Sequence, residues 1–193
     1  MSDQLPELLR ACQKGDAATT RILLERGADI HAADENGSTG IFYACMFGFG
    51  DTARVLVDSG ADINAVNKLG NTPLFYSCSA GHVSCTKLLL YRRADANARD
   101  KFYDTCLIVA SKRGYIEIVK LLVAFKADMD ARDIHGNTPL IHACLNMHVG
   151  VACFLIENGA DLSVVNDKNQ TALDIATKMR LEKVFSAIKA KQR

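Results

Sequence analysis

Apolar triplets alternate with polar segments along the chain at a constant spacing. Polar residues flank each triplet, as expected for a helix that buries one face. The pattern therefore predicts a short amphipathic helix at each triplet. The triplets lie 33 residues apart and are Ile22-Leu23-Leu24, Val55-Leu56-Val57, Leu88-Leu89-Leu90, Leu121-Leu122-Val123 and Phe154-Leu155-Ile156. A fixed period of roughly 20–50 residues indicates a repeat architecture, in which each repeat buries its apolar face against its neighbours.

Two more columns of residues share this register. One is a threonine followed two residues later by Ile or Leu, and the other is an Ala-Asp pair that mostly follows glycine. The threonines are Thr39, Thr72, Thr105, Thr138 and Thr171, and the Ala-Asp pairs begin at Ala28, Ala61, Ala94, Ala127 and Ala160. Independent columns in one register are not expected by chance, so the repeat organises the whole chain.

One repeat predicts a turn, two helices and a loop. In Gly70-Asn71-Thr72-Pro73-Leu74 the glycine can take positive φ, Thr72 can cap a helix, and Pro73 suits the first helical position. We predict that this helix runs to about Ala80, where Gly81-His82 follows, and that a second helix covers 84–91. Two short helices cannot bury an apolar face alone, but stacked neighbours can.

These residues resemble the ankyrin repeat: the 33-residue spacing, the Gly-Asn-Thr-Pro-Leu segments at 70–74 and 136–140, and the Ala-Asp at the end of each unit. The resemblance implies an all-α repeat solenoid of about six stacked helix-turn-helix units with protruding β-hairpin loops. We expect one domain over residues 1–193, with degenerate caps at both ends. Its units are 1–33, 34–66, 67–99, 100–132, 133–165 and 166–193.

The fourth unit departs furthest from this pattern. Tyr103 replaces the turn glycine, Cys106 replaces the proline, and Arg93 and Lys126 replace the glycine at its two borders. A non-glycine residue in left-handed geometry costs roughly 1–2 kcal/mol. We therefore expect local strain at the centre of the array.

Composition and charge exclude several classes of protein. The 23 basic and 22 acidic residues give a net charge of +1, so charge alone predicts no attraction to nucleic acid or anionic membrane. No run of 18 apolar residues occurs, and the first residues lack the order of a signal peptide, so we expect no membrane partner. Residues 1–66 carry 5 basic and 10 acidic side chains and the rest 18 and 12, which predicts a polarised partner surface.

Seven cysteines, an odd number in apolar helical surroundings, favour a reducing compartment, the cytoplasm or the nucleus. Four of them, Cys12, Cys45, Cys78 and Cys144, share one repeat position. Equivalent helices lie about 8–10 Å apart, whereas a disulfide needs Cα atoms within about 7 Å. We expect these four thiols to pack between helices, and Cys106, near a turn, to be the most exposed thiol.

No motif for catalysis, a cofactor or a metal is present in the sequence. The histidines form no H-E-x-x-H or C-x-x-C…H pattern, and there is no G-x-S-x-G, phosphate-binding or dinucleotide-binding glycine motif. Asp34, Asp100 and Asp133 recur at one repeat position, as expected for turn residues that accept backbone hydrogen bonds. We expect no catalytic residue, no cofactor, no metal site and no enzymatic activity.

The remaining candidates for a functional site are the variable positions at the loop tips and at the ends of the first helices. Ordinary solvated surface explains scattered apolar residues and charges. The alternative is a partner site that combines apolar anchors with basic side chains. Its candidates are the apolar residues Met46, Phe47, Leu69, Phe102 and Ile134 and the basic residues Arg99, Lys101, Lys112, Arg113 and Arg132.

The resemblance implies a non-catalytic scaffold or adaptor that binds another protein in a concave groove. The basic centre predicts that the partner presents an acidic segment with apolar anchors. A regulatory subunit or assembly chaperone of a larger complex is an alternative. A nucleic-acid-binding module is less favoured, because no interleaving of stacking aromatic and basic residues occurs. We expect a monomer in the absence of a partner.

Overall fold

A computed structural model describes residues 5–191, and this part of the chain forms twelve α-helices in six consecutive pairs. The chain divides into two compact units, Met1–Ala98 and Arg99–Arg193. This boundary lies one residue from the predicted border between the third and fourth repeats. None of the twelve helices in the described residues has the length and apolar content that a membrane-spanning helix needs.

The first unit contains three helix pairs. The pairs are α1 (Glu7–Lys14) with α2 (Ala17–Glu25), α3 (Gly40–Met46) with α4 (Gly50–Asp58), and α5 (Pro73–Ala80) with α6 (Val83–Tyr91). The first helices α1, α3 and α5 pack in sequence, as do the second helices α2, α4 and α6. Leu9, Phe42, Leu56, Leu74 and Leu89 are fully buried between the two layers.

The second unit repeats this arrangement. Its pairs are α7 (Cys106–Arg113) with α8 (Ile116–Ala124), α9 (Pro139–Leu145) with α10 (Val149–Glu157), and α11 (Ala172–Lys178) with α12 (Glu182–Lys191). The first helices pack as α7, α9 and α11, and the second helices as α8, α10 and α12. Leu107, Ile108, Ile118, Leu122 and Leu140 are fully buried. Helices this short are marginal alone, so burial between layers supplies most of their stability.

The predicted helix signals are confirmed. Helix α5 begins at Pro73 and ends at Ala80, where Gly81 takes a left-handed φ of 84°. The Thr72 hydroxyl accepts a hydrogen bond from the Phe75 N–H at 3.1 Å. Helix α6 begins at Val83, one residue before the predicted start. Because threonine caps also begin α7, α9 and α11, one local signal starts the first helix of four repeats.

The predicted β-hairpin loops are tight turns without strands in the described residues, where one isolated antiparallel bridge joins Ala33 and Thr39. The Asp34 carboxylate accepts hydrogen bonds from the N–H groups of Asn36 and Ser38, both at 2.8 Å. The same pattern recurs at the other repeats, as predicted for turn residues. One side chain therefore closes each loop where a longer hairpin would pair extended strands.

Three columns of residues in the repeat adopt positive φ, and the predicted departures from glycine lie in them. Arg93, Tyr103 and Lys126 have φ of 67°, 60° and 63°. The same columns hold Met147 and Arg180, at 59° and 56°, which the sequence analysis did not identify. The expected left-handed geometry of the fourth unit is thus confirmed.

Replacing Tyr103 with glycine is expected to stabilise the protein by about 0.5–1 kcal/mol. Relief of left-handed strain, roughly 1–2 kcal/mol, exceeds the entropic cost of an added glycine, roughly 0.5–1 kcal/mol. The Tyr103 side chain is exposed, so little burial is lost. Denaturant unfolding midpoints measure the effect. Tyr91→Gly is the matched control: that residue ends α6 in helical geometry, so its midpoint should fall. A lower midpoint for Tyr103→Gly would contradict the strain argument.

Candidate functional site

The loop before α7 presents an aromatic side chain to solvent. The Asp100 carboxylate accepts hydrogen bonds from the N–H groups of Phe102 and Asp104, at 2.8 and 2.9 Å. The Tyr103 N–H donates to the Asp100 carbonyl at 3.1 Å. With its backbone held in this way, Phe102 leaves 60% of its surface exposed, and Lys101 beside it is exposed too.

The next loop tip is joined to the first. The Ile134 N–H donates to the Phe102 carbonyl at 3.0 Å, and Ile134 is 46% exposed. Two apolar side chains thus lie on neighbouring tips that a backbone hydrogen bond connects. Because the backbone is already ordered, contact with a partner would cost little conformational entropy.

Basic side chains follow at the end of α7. Lys112 and Arg113 occupy its last turn and are exposed. Burial raises the pKa of the Asp104 carboxyl, Asp100 adds to the shift, and Lys112 opposes it. We call Lys101, Phe102, Lys112, Arg113 and Ile134 the tip surface.

The two other basic candidates of this unit differ from each other. Arg99 is exposed at the start of the unit. Arg132 is exposed as well, but its Nη2 donates to the Val165 carbonyl at 2.9 Å and its Nε donates to the Gly136 carbonyl at 3.3 Å. Its guanidinium braces two loops, so fewer of its donors remain for a partner.

The first unit carries its own set of candidates. Phe47 and Leu69 are 44% and 50% exposed. Met46 is half-buried, and its carbonyl accepts a hydrogen bond from His82 Nε2 at 3.0 Å. The Phe47 ring lies 6.0 Å from that of Phe49. These apolar candidates have one exposed basic neighbour in sequence, Lys68 beside Leu69.

Sequence reasoning did not name Tyr103 or Met147 as site candidates, although both are exposed apolar residues of the second unit. Tyr103 is 55% exposed, and Met147, two residues after the end of α9, is 61% exposed. Met147 occupies the column of Gly48 and Gly114. That departure from glycine was a usable signal, because a bulky residue at a left-handed position projects from the turn.

The expectation that Cys106 is the most exposed thiol is wrong. Cys106 is the first residue of α7 and is fully buried, because this position points into the stack of first helices. Of the seven cysteines, all in described residues, only Cys153 is half-exposed. Burial raises the pKa of Cys12 to about 11 and that of Cys144 to about 12.

A thiol reagent such as DTNB is expected to label one cysteine in the native protein and the other six only on unfolding. Accessibility and thiolate fraction both control the reaction. Burial, with Glu157 adding, raises the pKa of Cys153, so even this thiol should react more slowly than a free one. Cys153→Ser should abolish native labelling, and Cys106→Ser should not. Rapid labelling that Cys106→Ser removes would contradict the structure.

One group of metal-ligating side chains comes together within residues 5–191, although the sequence predicted none. Asp104, Asp133 and His142 each offer one atom, and these atoms lie within 4.8 Å of one another. His142 Nε2 lies 2.8 Å from Asp133 Oδ2, and both side chains are more than nine-tenths buried. The three residues come from two loops and from α9, so only the packing of successive repeats brings them together.

Comparison with known proteins identifies the repeat. A family model described as ankyrin repeats in three copies matches residues 8–100, 84–166 and 107–191. A search of curated proteins finds no match. The matched segments cover nearly the whole chain, and each contains the helix pairs and capped turns described above. The chain belongs to the ankyrin-repeat family.

Proposed function

We propose that this chain is a non-catalytic adaptor or scaffold that binds another protein through the tip surface of its second unit. Ankyrin repeats generally mediate protein–protein interaction. The family supports the general function, and the geometry of the second unit supports this particular surface.

The observation that carries the proposal is the pair of exposed apolar tips held side by side. Phe102 is 60% exposed and its carbonyl accepts the Ile134 N–H at 3.0 Å. Binding hot spots favour aromatic and arginine side chains near the centre of an interface. Phe102 supplies an aromatic anchor, and Arg113 at the end of α7 supplies an arginine.

The net charge of the second unit indicates which kind of partner would bind there. Residues 99–193 carry 14 basic and 11 acidic side chains, a net charge of +3, whereas residues 1–98 carry 9 and 11, a net charge of −2. The basic side chains at the tip surface would steer an acidic segment to it. The proposed partner therefore presents acidic residues beside apolar anchors. We place the interaction in the cytoplasm or nucleus, in keeping with seven cysteines that form no disulfide in the described residues.

Selection of displayed random peptides on the immobilised protein tests the proposal. Wild-type protein should enrich peptides that combine acidic residues with aromatic or aliphatic ones. A parallel selection on the Phe102→Ala, Arg113→Ala double variant should not enrich them. Enrichment of the same peptides by both proteins, or of none by the wild type, would contradict binding at the tip surface.

A further inference from the structure

Amide side chains join neighbouring loops within each unit. In the first unit, Asn67 Nδ2 donates to Ser38 Oγ at 3.2 Å. In the second, Asn166 Nδ2 donates to Asn137 Oδ1 at 3.0 Å. We call each such contact between two neighbouring loops a junction. Both junctions involve the same pair of repeat positions. At each, a donor from one loop meets an acceptor from the loop before it.

The junction between Asp104 and Asp133 lacks such a donor. These residues occupy the same two repeat positions, but both carry carboxylates, which only accept hydrogen bonds when ionised. The Asp133 side chain is 7% exposed and Asp104 is half-buried. Asn137 Nδ2, from the same loop as Asp133, donates to Asp133 Oδ2 at 3.3 Å and offsets part of its charge. Two facing carboxylates out of water still repel each other, so a proton or a cation between them would stabilise this junction.

The third side chain at this junction is the imidazole of His142. Tyr43 and Tyr76 occupy the repeat position of His142, and the Tyr43 hydroxyl donates to Asp34 Oδ2 at 2.8 Å. His142 instead directs Nε2 at Asp133 Oδ2, and its side chain is 8% exposed. Its Nδ1 is buried and has no hydrogen-bond partner in the described residues. A buried imidazole therefore points a ring nitrogen into the space between two carboxylates.

We propose that Asp104, Asp133 and His142 form a binding site for Zn²⁺. Zinc bonds imidazole nitrogen and carboxylate oxygen at about 2.0–2.2 Å, so tetrahedral ligand atoms stand about 3.3 Å apart. The three ligand atoms here lie within 4.8 Å of one another, and Nε2 and Oδ2 are 2.8 Å apart. Small side-chain rotations would bring them to that spacing. Water would fill the fourth position from the exposed side of Asp104.

The ligand set distinguishes zinc from the common hard cations. Calcium and magnesium prefer oxygen ligands, and magnesium keeps most of its water, whereas imidazole suits zinc. Two carboxylates neutralise the charge of the ion. Lys112 and Asp100 are the other charged groups that act on Asp104, and their opposite charges offset each other.

Zinc binding requires the Nε2 lone pair of a neutral imidazole. The proton that Nε2 shares with Asp133 would move to Nδ1, where no described group accepts a hydrogen bond from it, so the buried N–H lowers the zinc affinity. Zinc affinity should fall at acidic pH, because protons compete for all three ligands.

Zinc titration of the metal-free full chain tests the site, with a chromophoric zinc indicator as competitor and thermal unfolding as a second readout. We expect one zinc ion per chain and a higher midpoint in zinc. Asp104→Asn supplies the amide found at the other junctions, and His142→Tyr supplies the hydroxyl found at Tyr43 and Tyr76. Both variants should fold, and each should weaken zinc binding at least about tenfold.

His135→Ala is the control, since His135 is exposed and lies close by in sequence, and it should bind zinc as the wild type does. Equal zinc affinity in the wild type, Asp104→Asn and His142→Tyr would overturn the proposal. So would loss of zinc in His135→Ala, or a response to calcium or magnesium as strong as that to zinc. No partner protein enters these measurements, so they are independent of the proposed adaptor function.

Discussion

Replacing Gly114 with alanine is expected to destabilise the second unit by about 2–5 kcal/mol. Gly114 ends α7 with φ of 76°, a left-handed conformation that costs a non-glycine residue roughly 1–2 kcal/mol. A Cβ here would also lie 2.5 Å from Nδ1 of His148. That ring is held in place, because His148 Nε2 donates to the Lys112 carbonyl at 3.2 Å. Overpacking of this kind typically adds about 1–3 kcal/mol.

Gly159→Ala is the matched control for this prediction. Gly159 also has a left-handed φ, of 94°, but a Cβ built there meets nothing within 4 Å. Gly159→Ala should therefore lower the free energy of unfolding only by the cost of the left-handed backbone, roughly 1–2 kcal/mol. Denaturant unfolding gives the free energy of unfolding of both variants, and the difference between them is the cost of the contact between the new Cβ and His148. Equal losses would mean that the ring moves aside without cost, and the packing argument would fail.

Truncating Phe102 to alanine is expected to weaken binding of a selected acidic peptide by about 1–4 kcal/mol, and Arg113→Ala should have an effect in the same range. Phe102 contributes the largest exposed apolar surface of the tip surface and is held by backbone hydrogen bonds that alanine keeps. Stability should change by no more than about 0.5 kcal/mol, because both side chains are exposed. Calorimetric titration of the peptide measures the loss.

Two variants on second helices control for chemistry and exposure. Phe185 on α12 is an exposed phenylalanine, and Lys120 on α8 is an exposed cation paired with Glu117 at 2.9 Å. Phe185→Ala and Lys120→Ala should bind the peptide as the wild type does. If these two lose affinity and the tip-surface variants do not, the partner binds the second helices and the proposed surface is wrong.

Local signals that recur in most of the repeats could be predicted from the sequence. Thr72 and Pro73 determine where α5 begins through one hydrogen bond and one fixed φ. Tyr103 could be assigned a positive φ because its column otherwise holds glycine at three positions. Such features depend on a few neighbouring residues, so comparison of the repeats with one another reveals them.

Features that depend on packing between repeats could not be predicted in the same way. Cys106 stands beside a turn in sequence, yet the stack of first helices buries it completely. Arg132 was identified as a basic candidate, but its contacts are carbonyls of Val165 and Gly136, whose positions depend on the next loop. The group of Asp104, Asp133 and His142 likewise follows from how one repeat is set against the next.

The tip surface could be predicted from the sequence only in part. Phe102 and Ile134 lie at variable loop positions, which predicts exposure for both. The backbone hydrogen bond that places them side by side is a property of neighbouring loops and was not visible in the sequence. The composition of the candidate site was therefore predictable, and its geometry was not.

Amide hydrogen exchange of the full chain, measured with and without a selected peptide, tests most directly where the partner binds. Binding at the tip surface predicts slower exchange in the loop 100–104, in the last turn of α7 and at residue 134. Exchange in α8 and α10 should stay unchanged. Protection confined to α8, α10 and α12, with none in the loop 100–104, would contradict the proposed interface.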